Sequence, residues 1–202
     1  GNSAVPLGIA FDSISGDEAG AIFARLAPLA KRWVVSFLDW RHVGTLEAAC
    51  NDPAFGLRFV RHAIWVGPNK APQFTGDRPG TGWESIAVLH NPTGRMRWNG
   101  GGRHGVYTCN VAHKDHRISN HPNAKPLPLL AQLIADFSDP GDLVLDPFCG
   151  SGAVLAAAKL AGRRAVGVEQ NEQHCADLVF WLEHGRPRKV APAAIGVQGS
   201  LW

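Results

Sequence analysis

The segment Leu143 to Gly152, LVLDPFCGSG, closes an apolar run on Asp146 and follows it with two glycines ahead of an alanine-rich stretch. That order suits a strand-to-helix turn whose backbone lies against a ligand carrying charge and hydroxyls. Glycine has no Cβ to hold the ligand away, and a helix N-terminus offers free amide donors. Nineteen residues after Gly150 a second apolar run, AVGVE, ends on Glu169. A carboxylate at about that distance hydrogen-bonds the ribose hydroxyls of a nucleotide in Rossmann-type sites. Leu155 stands where a dinucleotide fingerprint has its third glycine, so a nicotinamide cofactor fits less well. The bland alternative is a tight turn with no ligand, and the acid at the proper distance argues against it.

Further candidates come from polar and aromatic residues outside this block. Asp39 and Trp40 close the run RWVVSFL; at the carboxyl end of a strand they would border a ligand crevice, with Trp40 as a stacking face. A capping Asp and a half-buried Trp explain the same pair equally well. Residues 91–120 hold Arg95, Arg97, Arg103, Lys114 and Arg117 against a single Asp115, with Trp98 and Tyr107 interleaved and three histidines added. Such a stretch suits phosphate contacts and splayed bases, although a solvated basic loop carries the same composition. Cys109, His113, His116 and His121 can be written as a zinc site, but their spacing matches no standard finger. No metal is therefore expected. Trp65 near another strand end reads as core.

The elements that must position these residues follow from periodicity. Residues 17–31 read as an amphipathic helix with an acidic first turn, bent at its end by Pro28. Strands are expected at Arg32–Leu38, Leu57–Val66 and Ser85–His90, with a helical turn or two at Thr45–Asn51. Residues 91–120 read as irregular throughout. From Lys125 the expected order is a helix (LPLLAQLIADFS), a buried strand (GDLVLD), the Gly-rich turn, a helix over 153–161 and the strand RAVGVE. This alternation predicts an α/β fold with a mostly parallel sheet covered by helices on both faces. The predicted organisation is residues 1–90 as substrate-side strands, 91–120 as a basic loop region, 121–184 as the cofactor-binding half of the same domain, and 185–202 as a tail.

Composition narrows the class without naming the chemistry. With 45 % apolar and 18 % charged residues, the chain can bury a core and is not a disordered polyelectrolyte. No window is apolar enough for a bilayer-spanning helix. Four unpaired cysteines and no signal peptide suit a reduced, cytoplasmic setting.

Asp146-Pro147-Phe148-Cys149-Gly150-Ser151-Gly152, preceded by His121-Pro122-Asn123-Ala124-Lys125-Pro126 and a helix, resembles the S-adenosylmethionine-binding half of DNA amino-methyltransferases of the N-4/N-6 type. The resemblance is strongest over residues 119–183, and Trp65, Lys70 and Glu84 echo the family more loosely. It implies a Rossmann-like methyltransferase fold in permuted order and S-adenosylmethionine as cofactor. Cofactor contacts would come from Asp146, Phe148, Gly150, Gly152 and Glu169, with His121 and Lys125 at the methionine end. The basic stretch falls where the family recognises its target, so double-stranded DNA is the expected partner and an exocyclic amine the expected acceptor, adenine N6 ahead of cytosine N4. A non-catalytic cofactor- and nucleic-acid-binding module and an RNA methyltransferase remain alternatives. The family's catalytic Asp-Pro-Pro-Tyr is not found in these 202 residues; the expectation is that it lies upstream of Gly1.

Overall fold

The computed structural model describes residues 16–111 and 125–185, which fall into two compact units, 1–110 and 111–202. The boundary lies inside the region read as one basic loop.

In the first unit α1 (Gly16–Leu26) runs into a 3-10 turn at Ala27–Leu29, where Pro28 ends the α-helical pattern. Then come β1 (Trp33–Leu38), α2 (Trp40–Ala49), β2 (Arg58–Val66), β3 (Trp83–His90) and β4 (Val106–Thr108). These strands form a sheet in the order β1-β3-β2-β4. β3 is buried from Ser85 to His90, so both its faces are covered and the run SIAVLH shows no polar alternation. On one face Ala87 and Leu89 pack with Phe23 and Ala27 of the first helical segment, Leu46 of α2, and Leu57.

The strand directions differ from the expected parallel pattern. β3 is antiparallel to both β1 and β2, while the β2–β4 and β5–β6 pairs are parallel. The reason is the connection at 67–82, which carries three prolines and four glycines and forms no helix to carry a parallel crossover. Because β1 and β2 oppose the same strand, they point the same way. Their ends define a carboxyl edge, and their starts, with the end of β3, define an amino edge. α2 is longer than expected because Asp39 caps it, accepting from the Arg41 N–H at 2.9 Å.

In the second unit α3 (Leu127–Phe137), β5 (Leu143–Asp146), α4 (Ala153–Leu160), β6 (Arg164–Gly167) and α5 (Glu172–His184) follow in turn. Ala156, Ala157 and Ala158 of α4 are fully buried; these short side chains allow close helix contacts. α5 is an element the periodicity did not reveal, since its apolar face is weak. Its ends are set by local residues: Asn171 caps the Gln173 and His174 amides at 2.9 and 3.2 Å, and Gly185 closes it at φ 67°. Among the described residues no helix is long and apolar enough to cross a membrane.

Candidate functional site

The Gly-rich turn is built by the β5–β6 ladder. Asp146 pairs in register with Gly167, and the ladder runs on past both strands: Val168 N–H donates to the Asp146 carbonyl and Cys149 N–H to the Val168 carbonyl, each at 3.0 Å. The chain then reverses within three residues, with Gly152 N–H donating to the Cys149 carbonyl at 2.6 Å. Reversal needs left-handed backbone at Gly150 (φ 50°) and Gly152 (φ 78°), which glycine adopts without the Cβ penalty. The two glycines differ in surroundings. A Cβ on Gly152 would lie 2.0 Å from Leu178, whereas one on Gly150 would point into open space.

Glu169 closes the turn from the next strand. One carboxylate oxygen accepts from Gly150 N–H at 2.9 Å and the other from Asn171 N–H at 2.8 Å. Asp146 accepts from Phe148 N–H at 3.1 Å. Burial pushes the Asp146 carboxyl above its usual range; the Phe148 amide opposes this, and the negative charge of Glu169 adds to it. Two carboxylates therefore stand at the ends of adjacent parallel strands, each oxygen with a lone pair to spare. Phe148 beside them is 63 % exposed, an apolar surface facing outward. Burial pushes the Cys149 thiol up to about 11, so it supplies no nucleophile. Acceptors for hydroxyls, an open glycine, α4 amides with no side-chain cap and an exposed aromatic suit a cofactor bearing a ribose, an aromatic base and positive charge. Lys125 immediately precedes Pro126, which stands at the start of α3; His121, Lys114 and Arg117 lie outside the described residues.

The carboxyl edge of the first unit gathers residues that are distant in sequence. Lys70 donates to Glu84 at 2.7 Å while its ammonium sits 4.5 Å above the Trp65 ring, and Trp65 Nε1–H donates to the Cys109 carbonyl at 2.7 Å. Trp65 is 2 % exposed, a core residue as expected. Asp39 has both oxygens on Arg41, and salt-bridge contact with that guanidinium holds its carboxyl down at about 2. Trp40 beside it is 59 % exposed rather than half-buried.

The described part of the basic stretch, residues 91–111, spans both edges of the sheet. Residues 91–105 fold over the amino edge, where Asn91 N–H donates to the Arg32 carbonyl and Trp33 Nε1–H to the Arg97 carbonyl, both at 2.7 Å. β4, an unanticipated strand, then carries the chain along β2 to the carboxyl edge, where Cys109 N–H meets the Val66 carbonyl at 3.0 Å. Arg95, Arg97 and Arg103 are exposed, with Arg95 and Arg97 at the edge opposite Trp40 and Lys70. Of the interleaved aromatics, Tyr107 is 3 % exposed and so is not offered to a base, while Trp98 is half-buried with its ring against Gly100. Among the described residues no cluster of three His, Cys, Asp or Glu could hold a metal.

Comparison with known proteins supplies the family. A model of the N6/N4 DNA methylases matches residues 30–180. The DNA adenine methyltransferase YhdJ of Escherichia coli K12 is 47 % identical over 55 residues, a stretch that is 27 % of this chain and 19 % of that protein. The chain thus matches only about a fifth of that relative's length. Among solved structures, M1.HpyAVI in its complex with SAM aligns at TM-score 0.70 and 21 % identity over 83 % of this chain and 84 % of that one. The cytosine-N4-specific PvuII DNA methyltransferase aligns at 0.65 and 15 % identity over 82 % and 71 %. These likenesses establish the fold, a Rossmann-like α/β methyltransferase fold. With the family model covering residues 30–180, the chain belongs to the N6/N4 family of DNA methylases.

Proposed function

We propose that this chain serves S-adenosylmethionine-dependent methylation of an exocyclic amine in double-stranded DNA, adenine N6 in preference to cytosine N4. The observation that carries it is the convergence of Asp146, Glu169 and the open Gly150 at the ends of two paired parallel strands. When bound, the cofactor supplies a methyl group on a positively charged sulfur. The chain's own residues bind and orient: Glu169 accepts from the ribose hydroxyls, Gly150 leaves room for the ligand, Asp146 and Phe148 flank it, and Gly152 shapes the turn. Lys125 and His121 belong to the methionine end in this reading. Positioning of this kind accounts for most of the rate when a nucleophile and a methyl donor need only be aligned. The preference for adenine rests on the name of the relative YhdJ and its 47 % identity over the shared stretch.

Titration calorimetry with S-adenosylhomocysteine and with NAD tests the reading. The homocysteine product should bind and NAD should not. Glu169→Ala should cost about 1.5–3 kcal/mol of affinity, the range for a hydrogen bond to a charged partner. Unchanged binding in that variant, or tighter binding of NAD, would overturn the assignment.

A further inference from the structure

Among the described residues of the first unit, the exposed large apolar side chains are Leu29, Trp40, Phe74, Met96 and Val106, and only Trp40 and Phe74 are aromatic. Both aromatic residues stand at the carboxyl edge. Trp40 opens α2 just past the end of β1, and Phe74 lies in the 67–82 connection, which leaves β2 at Val66 and enters β3 at Trp83. Phe74 is 85 % exposed, more than any other large apolar side chain among the described residues. A ring left in water forgoes the stabilisation of burial.

The connection that carries Phe74 is held at its root and at its tip. At the root Gly67 N–H donates to the Gly82 carbonyl at 2.9 Å and Lys70 N–H to the Gly67 carbonyl at 3.0 Å, while the Lys70 ammonium is fixed between Glu84 and the Trp65 ring. Further out the two limbs nearly touch, since a Cβ on Gly80 would lie 3.2 Å from the Gln73 nitrogen. Residues 74–79 are left as the tip. There Thr75 N–H donates to the Gln73 side chain at 3.3 Å, the Thr75 hydroxyl donates to Asp77, and Arg78 donates to Asp77 at 3.1 Å. Pro72 and Pro79 fix the backbone on either side, and Gly76 turns it at φ 67°. Little freedom therefore remains to be lost when the ring meets a partner. Lys70 and Arg78 stand against the single acid Asp77 in this connection, so its charge does not repel a polyanion. A stiffly presented aromatic ring at the edge where parallel strands end suits insertion into a base stack. Apolar wedges of this kind enter between base steps, and a base drawn out of a duplex leaves a gap that such a ring can fill.

We infer that Phe74 enters duplex DNA at the carboxyl edge and stacks in the gap that the target base leaves behind. The DNA partner rests on the proposed methylase function. The test is binding by the full 202-residue chain to one duplex, either fully paired or carrying a single abasic site, for wild type, Phe74→Ala, Phe74→Tyr, and Leu29→Ala as a control that trims another exposed apolar side chain. In the abasic duplex the gap is already open, so wild type should bind it more tightly than the paired one. Phe74→Ala should weaken binding to the abasic duplex by about 5- to 150-fold, the range for one base stacked on an aromatic ring, and should lose the preference for it. Phe74→Tyr, which keeps the ring, and Leu29→Ala should bind as wild type does. An alanine variant equal to wild type, no preference for the abasic duplex in wild type, an equal loss in Leu29→Ala, or no duplex binding by wild type would overturn the inference. So would a wild-type dimer that Phe74→Ala dissociates while its affinity for both duplexes is unchanged, which would make the ring a contact between copies. Tighter binding of single-stranded RNA with the same loss would overturn DNA as the partner. S-adenosylhomocysteine affinity, read in parallel, stays at the wild-type value in Phe74→Ala; its absence from the wild type would instead sink the methylase reading.

Discussion

At the scale of single residues, the turn trades stability for binding. Asp146 is held above the usual carboxylate range by burial, so the folded chain keeps that proton more firmly than the unfolded chain does. The stability this group contributes is complete below the ordinary carboxylate value and is lost as pH rises through the raised one. At neutral pH the ionised carboxylate therefore weighs against the fold. Asp146→Asn retains an acceptor for the Phe148 amide and removes the charge. It should melt above wild type at pH 7, with the gap closing as pH falls below the ordinary carboxylate range; a gain of 1 kcal/mol would read as about 2–4 °C at this size. Thermal scans from pH 3 to 7 measure it, and a gap independent of pH would mean that ionisation is not the cause. A group kept charged at a cost to the fold is a common property of binding sites.

At the scale of elements, the β5–α4 turn uses two left-handed glycines for different purposes. Gly152 is where α4 meets α5: an added methyl would collide with Leu178. Gly152→Ala should lose about 1–2 kcal/mol to the left-handed backbone and about 1–3 kcal/mol more to overpacking. Gly150 has open space around it, so Gly150→Ala should lose only the backbone share, about 1–2 kcal/mol, while weakening S-adenosylhomocysteine binding because its methyl enters the ligand's space. Chemical denaturation read beside calorimetry separates the two. If Gly150→Ala binds the ligand as wild type does, the open space beside Gly150 is not the cofactor's.

At the scale of the whole molecule, the described residues form two compact units, and the second contains the Gly-rich turn with both Asp146 and Glu169. In the proposed reading the target amine is served less fully, because the Asp-Pro-Pro-Tyr that the resemblance implies as its hydrogen-bond acceptor is not in these 202 residues. The chain should therefore bind S-adenosylhomocysteine while transferring tritiated methyl groups to duplex DNA about a hundredfold or more below a competent enzyme, the scale of loss for a misplaced reactant. Supplying an Asp-Pro-Pro-Tyr segment, fused or as a separate peptide, should raise transfer. Full turnover without it would give the acceptor role to another pair, with Asp39 and Trp40 the first to test by substitution.

The Gly-rich turn was legible in the sequence because its physics is local. Left-handed backbone favours glycine within a few residues of a strand end, and the carboxylate that accepts from the turn lies one βα unit further on, so the turn formed by Asp146, Gly150, Gly152 and Glu169 could be placed from spacing alone. Five of the six strands among the described residues were likewise found from their β-branched and aromatic runs, to within two residues; β4 was not. Strand direction was not legible, since it depended on whether the 67–82 connection made a helix. Nor was the fate of the basic stretch: composition shows that Arg95, Arg97 and Tyr107 are near one another in the chain, but not that Tyr107 would be buried in a short strand. The Lys70–Glu84 pair over Trp65 arises from pairing between segments far apart in sequence. Such pairings are settled by register and burial across the sheet, which only the folded chain brings into being.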